Sequence, residues 1–348
     1  MNKVPQSICI LRLSAIGDVT HVLPVIATLQ KAYPNAAITW VIGKLEYKLM
    51  KNLSGVNFVI FDKSLGRQAY KNLKNELKHQ VFDVLLHMQY SFRANRAAWQ
   101  IKAKNRIGFD KKRSRELHGL KLTQRIAAVH KQHVLDSFME FPKAMSITDF
   151  VYQWPIVVGE KDRKIADKLI KKGQVNVVIS PCSSSELKDW SIHSYVEIVN
   201  HLVKDYGANV ILCGGPSQRE MAFSAAIEAN VNVEIENITG KDTLKQLFAL
   251  LHNVDLVISP DSGPMHMASA AGTPVIGLHA ATTAKRSGAY NYQNLAVDCF
   301  NQAVLQFLKK SPDAIRWGSQ VKCKGTMDLI TVDAVKDKIA EVLENKNV

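Results

Sequence analysis

Short, nearly unbroken apolar runs of strand length recur along this chain with helix-length segments between them, and that alternation constrains the fold more than any other feature. Residues 7–13, 37–42, 57–61 and 82–87 read as strands, and 18–33, 44–52 and 67–79 as helices. Strands that are apolar on both faces belong in a parallel sheet covered by helices on each side, with right-handed crossovers. After Ile107-Gly108-Phe109 the pattern gives way to a basic loop, 110–116, and a more helical stretch up to about Met145. Residues 147–160 lack a clear period and are the linker candidate. A second alternation follows, with strands expected at 175–180, 208–213, 233–238, 254–258 and 273–278 and helices at 161–171, 191–205, 217–228 and 242–251. At 348 residues the chain is too long for one ordinary core. The expected architecture is α/β: a first doubly wound domain over 1–155, a second over 156–330, and a cleft between the two. Val332, Val335, Ile339, Val342 and Leu343 stand at helical spacing, so 331–348 is expected to carry a terminal amphipathic helix.

Composition narrows the partners. The formal net charge is +14, and between Lys63 and Lys131 there are 17 Lys or Arg against four acids, so nearly the whole excess sits in one segment. Such an excess is either a solvated surface or a face for a polyanion: nucleic acid, an anionic membrane surface or a phosphorylated substrate. Five dispersed cysteines form no C-x-x-C pair and read as buried thiols of a reducing compartment. No secretory signal and no run of 18 apolar residues is evident, which points to a cytoplasmic protein. His130 and His133 have only Asp136 nearby, and no metal site is expected.

Three turns combine the residue types that bind an anionic ligand. In Ser259-Pro260-Asp261-Ser262-Gly263-Pro264-Met265-His266 an apolar strand ends at the start of a short, small-residue helix, whose unpaired N–H groups and dipole favour a phosphate. Asp261 and His266 flank it, as ligand contacts or, for Asp261, as an ordinary cap. In Ser180-Pro181-Cys182-Ser183-Ser184-Ser185-Glu186-Leu187-Lys188 a hydroxyl-rich loop delivers one lysine; Ser183 and Lys188 can hold a diphosphate, and Lys188 can equally be a solvent-exposed lysine. Gly214-Gly215-Pro216 is either a tight turn or a close backbone approach to a nucleotide, with Glu220 toward ribose or base. At the other end of the chain, Asp18 in Ser14-Ala15-Ile16-Gly17-Asp18 is either a helix cap or a general base at a strand's carboxyl end. The dinucleotide G-x-G-x-x-G, the Walker sequence and the nucleophile-elbow G-x-S-x-G are all missing.

Leu11-Arg12-Leu13-Ser14-Ala15-Ile16-Gly17-Asp18-Val19 together with Ser259-Pro260-Asp261-Ser262-Gly263-Pro264-Met265-His266 resembles the ADP-heptose:lipopolysaccharide heptosyltransferases, the ninth family of glycosyltransferases. Residues 104–109 and 180–184 fit as well, so the resemblance spans most of the chain. Residues 111–116 and 133–136 look most like the heptosyltransferase I branch, which adds the first heptose to lipid A carrying phosphorylated Kdo. The resemblance implies a GT-B fold and a terminal helix that packs back on the first domain. It also implies inverting transfer of L-glycero-D-manno-heptose from ADP-heptose to Kdo of lipid A, without metal or cofactor. Asp18 is then the catalytic base and Lys188 neutralises the departing diphosphate, with Ser183 and the backbone of Ser262 and Gly263. Asp261 contacts the heptose, His266 the phosphates or sugar, and Glu220 the nucleoside. Ser262 stands where many relatives carry threonine, which keeps the hydroxyl.

The basic segment then has an anionic lipid acceptor to face, with Arg93, Arg96, Arg113 and Arg115 gripping its phosphates, or standing as surface charge. The expected place is peripheral, at the cytoplasmic face of the inner membrane. Two alternatives remain at this point: a GT-B enzyme using another nucleotide sugar, and a non-catalytic nucleic-acid-binding protein. For the second there is no reader motif, so no nucleic-acid partner is expected.

Overall fold

The computed structural model describes residues 4–344, which divide into two compact units, Met1–Val157 and Val158–Val348. In the first unit the strands are β1 (Ser7–Leu11), β2 (Ala37–Gly43), β3 (Val56–Phe61), β4 (Phe82–His87), β5 (Ala103–Gly108) and β6 (Gln124–Arg125). They form one parallel sheet in the order β3-β2-β1-β4-β5-β6. Helices α1 (Ile16–Thr20), α2 (Val22–Ala32), α3 (Lys44–Met50), α4 (Arg67–Glu76), α5 (Phe92–Ala98) and α6 (Val134–Ala144) connect or cover it.

The second unit repeats the plan. Its strands β7 (Asn176–Ile179), β8 (Asn209–Leu212), β9 (Glu236–Asn237), β10 (Leu256–Pro260), β11 (Val275–His279) and β12 (Val297–Asp298) lie in the order β12-β11-β10-β7-β8-β9. Around them are α7 (Glu160–Asp167), α8 (Ile192–Tyr206), α9 (Gln218–Asn230), α10 (Leu244–His252), α11 (Gly263–Ala271), α12 (Ala284–Ser287), α13 (Phe300–Ala303) and α14 (Val332–Leu343). In both sheets the strand order reverses beside the first strand, at β1/β4 and at β7/β10. Open parallel sheets bind ligands at the carboxyl ends of the strands beside such a reversal.

Several elements differ from the sequence reading for identifiable reasons. The helix expected over 18–33 is two helices that meet at His21, and Thr20 Oγ1 donates to the Gly17 carbonyl at 2.7 Å. Strand β5 was not expected, because Lys104, Asn105 and Arg106 interrupt its apolar pattern. Arg106 is nonetheless buried, and its guanidinium donates to the Ile101 and Ala98 carbonyls at 2.7 and 2.6 Å. It thereby satisfies the carboxyl end of α5, another unexpected element. The strand expected over 233–238 shortens to the two residues of β9.

The terminal helix forms at the expected place, and its apolar stripe packs within the second domain. Val335, Ile339, Val342 and Leu343 of α14 join the second domain's own core, with Tyr195, Ile198, Val199 and Leu202 of α8 and Ile276 and Leu278 of β11. Tyr206 of α8 donates its hydroxyl to Glu344 at 3.4 Å, and the indole N–H of Trp190 donates to the Ile330 carbonyl at 3.0 Å just before the helix. Residues 345–348, which the sequence reading included in this segment, lie outside the described residues. Because Ile339 is wholly buried, Ile339→Ala should destabilise the second domain by about 3 kcal/mol in denaturant unfolding. A loss under about 1 kcal/mol would mean that this helix is not part of that core.

Candidate functional site

Strand β10 stops at Pro260, Asp261 and Ser262 follow, and α11 begins at Gly263 with Pro264 in its first turn. Proline is tolerated there because its missing N–H would have been unpaired anyway. Ser262 occupies the N-cap position yet makes no side-chain cap; its Oγ lies 2.8 Å from Ser259 Oγ instead. The first-turn N–H groups therefore have no serine capping them, the condition for an anion site at a helix start.

Lys188 closes that site from a different loop. It ends a short 3-10 turn, Glu186–Lys188, after β7, and its Nζ donates to the main-chain carbonyl of Asp261 at 2.8 Å while standing 3.5 Å from Oδ2. The two side chains are only 15% and 14% exposed, so their attraction is weakly screened by water. Oδ2 of Asp261 also accepts from Thr282 Oγ1 at 2.8 Å and Ser287 Oγ at 3.3 Å, and Oδ1 lies 3.8 Å from His266 Nε2. Burial pushes the Asp261 carboxyl up, but the His266 contact and the charge of Lys188 outweigh it and hold it far below the usual carboxylate range. Asp261 is a carboxylate at every physiological pH.

The neighbouring loops are braced internally. The Ser183 hydroxyl donates to Ser185 O at 2.9 Å and accepts from Ser185 N at 3.2 Å, and its own N–H goes to Asp189 Oδ1 at 2.6 Å. Arg219 clamps this loop by an ion pair to Asp189 and a hydrogen bond to Ser183 O. Neither Asp189 nor Arg219 was singled out in the sequence; the arginine lies 30 residues on, in α9. Glu220 turns back on the glycine turn, accepting from Gly215 N at 2.6 Å and Ser217 Oγ at 2.9 Å. A Cβ at Gly215 would lie 3.0 Å from that carboxylate, so the glutamate packs closely on the turn. Both Glu220 oxygens thus serve the loop itself.

In the first domain, Asp18 sits in α1 and pairs with Arg12 at the end of β1; its Oδ2 also accepts from Ala15 N at 3.3 Å. Arg12 is held in turn by the Met88 carbonyl at 2.6 Å and lies 5.1 Å above the Phe138 ring. Gln89 braces the same turn, accepting from Leu13 N at 2.8 Å and donating to Ser14 Oγ at 3.3 Å. The carboxylate is thus fixed where β1 and β4 diverge.

The four arginines expected at an acceptor have different surroundings. Arg93 and Arg115 are exposed. Arg96 lies 4.3 Å over the Tyr70 ring. Arg113 is drawn into its own loop: it pairs with Asp110 and donates to Gln132 Oε1 at 3.3 Å and to the Ala127 carbonyl at 2.7 Å. Buried His118 organises this loop, its Nε2 accepting from Phe109 N at 2.9 Å and its Nδ1 meeting Asn95 Oδ1 at 3.1 Å. Among the described residues no group of three or more His, Cys, Asp or Glu side chains is placed to hold a metal ion, and no helix is long and apolar enough to cross a membrane.

Residues 70–312 match the model of glycosyltransferase family 9 (heptosyltransferase). The chain belongs to that family. It is 40% identical over 333 residues to the lipopolysaccharide core heptosyltransferase OpsX of Haemophilus influenzae, a match covering 96% of each chain. Among solved structures, a family 9 glycosyltransferase from Veillonella parvula superposes with a TM-score of 0.82 at 19% identity, over 98% of both chains. E. coli heptosyltransferase WaaC with ADP gives 0.72 at 19% identity, over 96% of this chain and 99% of that one. The fold is GT-B, and the protein is a heptosyltransferase of lipopolysaccharide core biosynthesis.

The His118 contacts give this heptosyltransferase a pH signature. Burial first, then the Arg125 charge, pulls the imidazole down to about 4, from an ordinary value near 6.5. Between those values the unfolded chain binds a proton that the folded one does not, so stability falls as pH drops from about 6.5 to 4 and is flat above. Unfolding of wild type and His118→Gln across that window should show the smaller slope in the variant, and equal slopes would remove His118 from the balance.

Proposed function

We propose that this heptosyltransferase transfers L-glycero-D-manno-heptose from ADP-heptose to Kdo of lipid A, with inversion at the anomeric carbon and without a metal ion. The observation that carries the reading is the Lys188 contact with Asp261: it sets one ammonium group at the start of α11, where a leaving diphosphate gathers charge. The N–H groups of Ser262 and Gly263 add to that charge, and Asp261 takes hydroxyls of the heptose, with His266 beside it. The Ser183 loop, held by Arg219, shapes the diphosphate's surroundings, and Glu220 acts through the glycine turn that it closes. Relatives support this donor, since WaaC of E. coli is known as complexes with ADP and with ADP-2-deoxy-2-fluoro heptose.

In the transfer step the acceptor oxygen bonds to the anomeric carbon as the bond from that carbon to the diphosphate oxygen breaks. ADP departs with the bonding pair, and the acceptor's hydroxyl proton goes to Asp18. Arg12 orients that carboxylate through its ion pair. Arg93, exposed in α5 beside exposed Phe92, and Arg115, exposed on a loop with Leu117 and Leu120, suit the phosphates and headgroup of an anionic lipid, whereas Arg96 stacks over Tyr70 and Arg113 is held in its own loop. With such an acceptor the enzyme works as a peripheral protein at the cytoplasmic face of the inner membrane.

The test is mass spectrometry of the purified enzyme with ADP-heptose and Kdo-lipid A, with and without a phosphate on Kdo. A gain of one heptose is expected, and no gain on either acceptor would refute the acceptor assignment. Asp18→Asn should slow transfer by about 10²–10⁴-fold while ADP affinity stays within about twofold. Undiminished transfer in that variant would remove Asp18 as the base.

A further inference from the structure

Thr282 and Ser287 belong to none of the motifs from which the site was built. They follow β11, Thr282 in the loop and Ser287 at the end of α12, and both are buried. Their hydroxyls converge on a single atom, Oδ2 of Asp261, at 2.8 and 3.3 Å, and Lys188 Nζ stands 3.5 Å from the same oxygen. Oδ1 has a different surrounding, with His266 Nε2 at 3.8 Å. One oxygen of the carboxylate is therefore held by the protein, and the other lies on the side of the histidine.

Behind Thr282 stands His279, wholly buried, with Nδ1 3.4 Å from Thr282 Oγ1. A hydroxyl has one proton. Thr282 gives that proton to Asp261, so its oxygen accepts from the imidazole and Nδ1 carries the hydrogen. Burial holds His279 below its ordinary value despite the carboxylates of Asp261 and Asp298, and the neutral ring has that one N–H to give. The ring lies against its own strand: a Cβ on Gly277 would stand 3.0 Å from His279 Nε2. The chain of contacts His279, Thr282, Asp261 runs in one direction.

We propose that Thr282 and Ser287, backed by His279, are positioning residues that lock the Asp261 carboxylate so that Oδ1 is the oxygen that receives a hydroxyl of the donor's sugar. They govern affinity for the sugar-bearing nucleotide and leave affinity for the bare nucleotide alone. The inference rests on the reading of Asp261 as the sugar contact. An aspartate without these two hydroxyls rotates about its side-chain bonds, and a ligand must then restrict that motion at the expense of binding.

The experiment compares Thr282→Val, Ser287→Ala and Thr282→Ser in the full chain, using whichever nucleotide sugar the unaltered enzyme turns over. A wrong sugar assignment thus appears in wild type, and a wrong positioning role appears only among the variants. Thr282→Val should raise the KM for the donor about tenfold, with kcat and the Kd for ADP within about twofold. Ser287→Ala, which loses the longer contact, should show the same split in smaller size and carries the comparison if Thr282→Val does not fold. Thr282→Ser, which keeps the hydroxyl, should restore the wild-type KM. An unchanged donor KM in both hydroxyl-deleting variants would overturn the proposal, as would a parallel rise in the Kd for ADP or a Thr282→Ser enzyme as impaired as Thr282→Val.

Discussion

The contact between Lys188 and Asp261 joins two loops that are 73 residues apart in the chain, and the character of the second domain's site depends on it. Those loops meet because β7 and β10 are hydrogen-bonded neighbours at the point where the strand order reverses. A half-buried ammonium and a half-buried carboxylate each need the other, since breaking such a pair leaves an uncompensated charge in a poorly hydrated place. Lys188 reaches past the carboxylate to the main-chain carbonyl of the same residue, so the pair fixes backbone as well as side chain. The first turn of α11 is consequently held beside a positive charge in a geometry that a solvent-exposed lysine could not maintain.

Each sheet carries one such pair at its reversal point, built in opposite ways. In the first domain the arginine and the carboxylate, Arg12 and Asp18, are six residues apart on one strand–helix unit, and a carbonyl from the β4 loop holds the arginine. In the second, the lysine and the aspartate arrive from separate strands. The local pair orients a carboxylate, whereas the long-range pair assembles a pocket wall. Two copies of one strand order thus present different chemistry, because function lies in the loops at the sheet's carboxyl edge and not in the sheet.

The parts of this arrangement that were legible in the sequence are the parts that local chemistry encodes. The apolar runs of β1, β2, β4, β7 and β10 announce buried strands, and the Ser-Pro-Asp-Ser-Gly-Pro turn announces a helix start. Asp261, Lys188 and His266 could be singled out because each stands beside such a signal. Thr282, Ser287 and His279 could not: His279 ends β11 and the two hydroxyl residues follow it, and only tertiary contact brings Thr282 and Ser287 to Asp261 and His279 to Thr282. Strand β5 stayed hidden because a buried arginine resembles a surface one until its carbonyl partners are known. The amphipathic stripe of α14 was plain, but a stripe specifies that a face is buried and not which surface covers it. Glu220 was singled out by the glycine turn before it and Arg113 by its basic loop, and only the structure shows the partners each has within its own loop.

The two-residue strands β6, β9 and β12 form three of the four outer margins of the two sheets. A margin that short offers another chain almost no ladder to extend, whereas a long unpaired strand is a template for intermolecular pairing. Only β3, six residues long, leaves a margin of ordinary length. The truncated margins therefore leave another chain little backbone to pair with, and lengthening β9 or β12 by redesign would add such a template without touching a residue of the site.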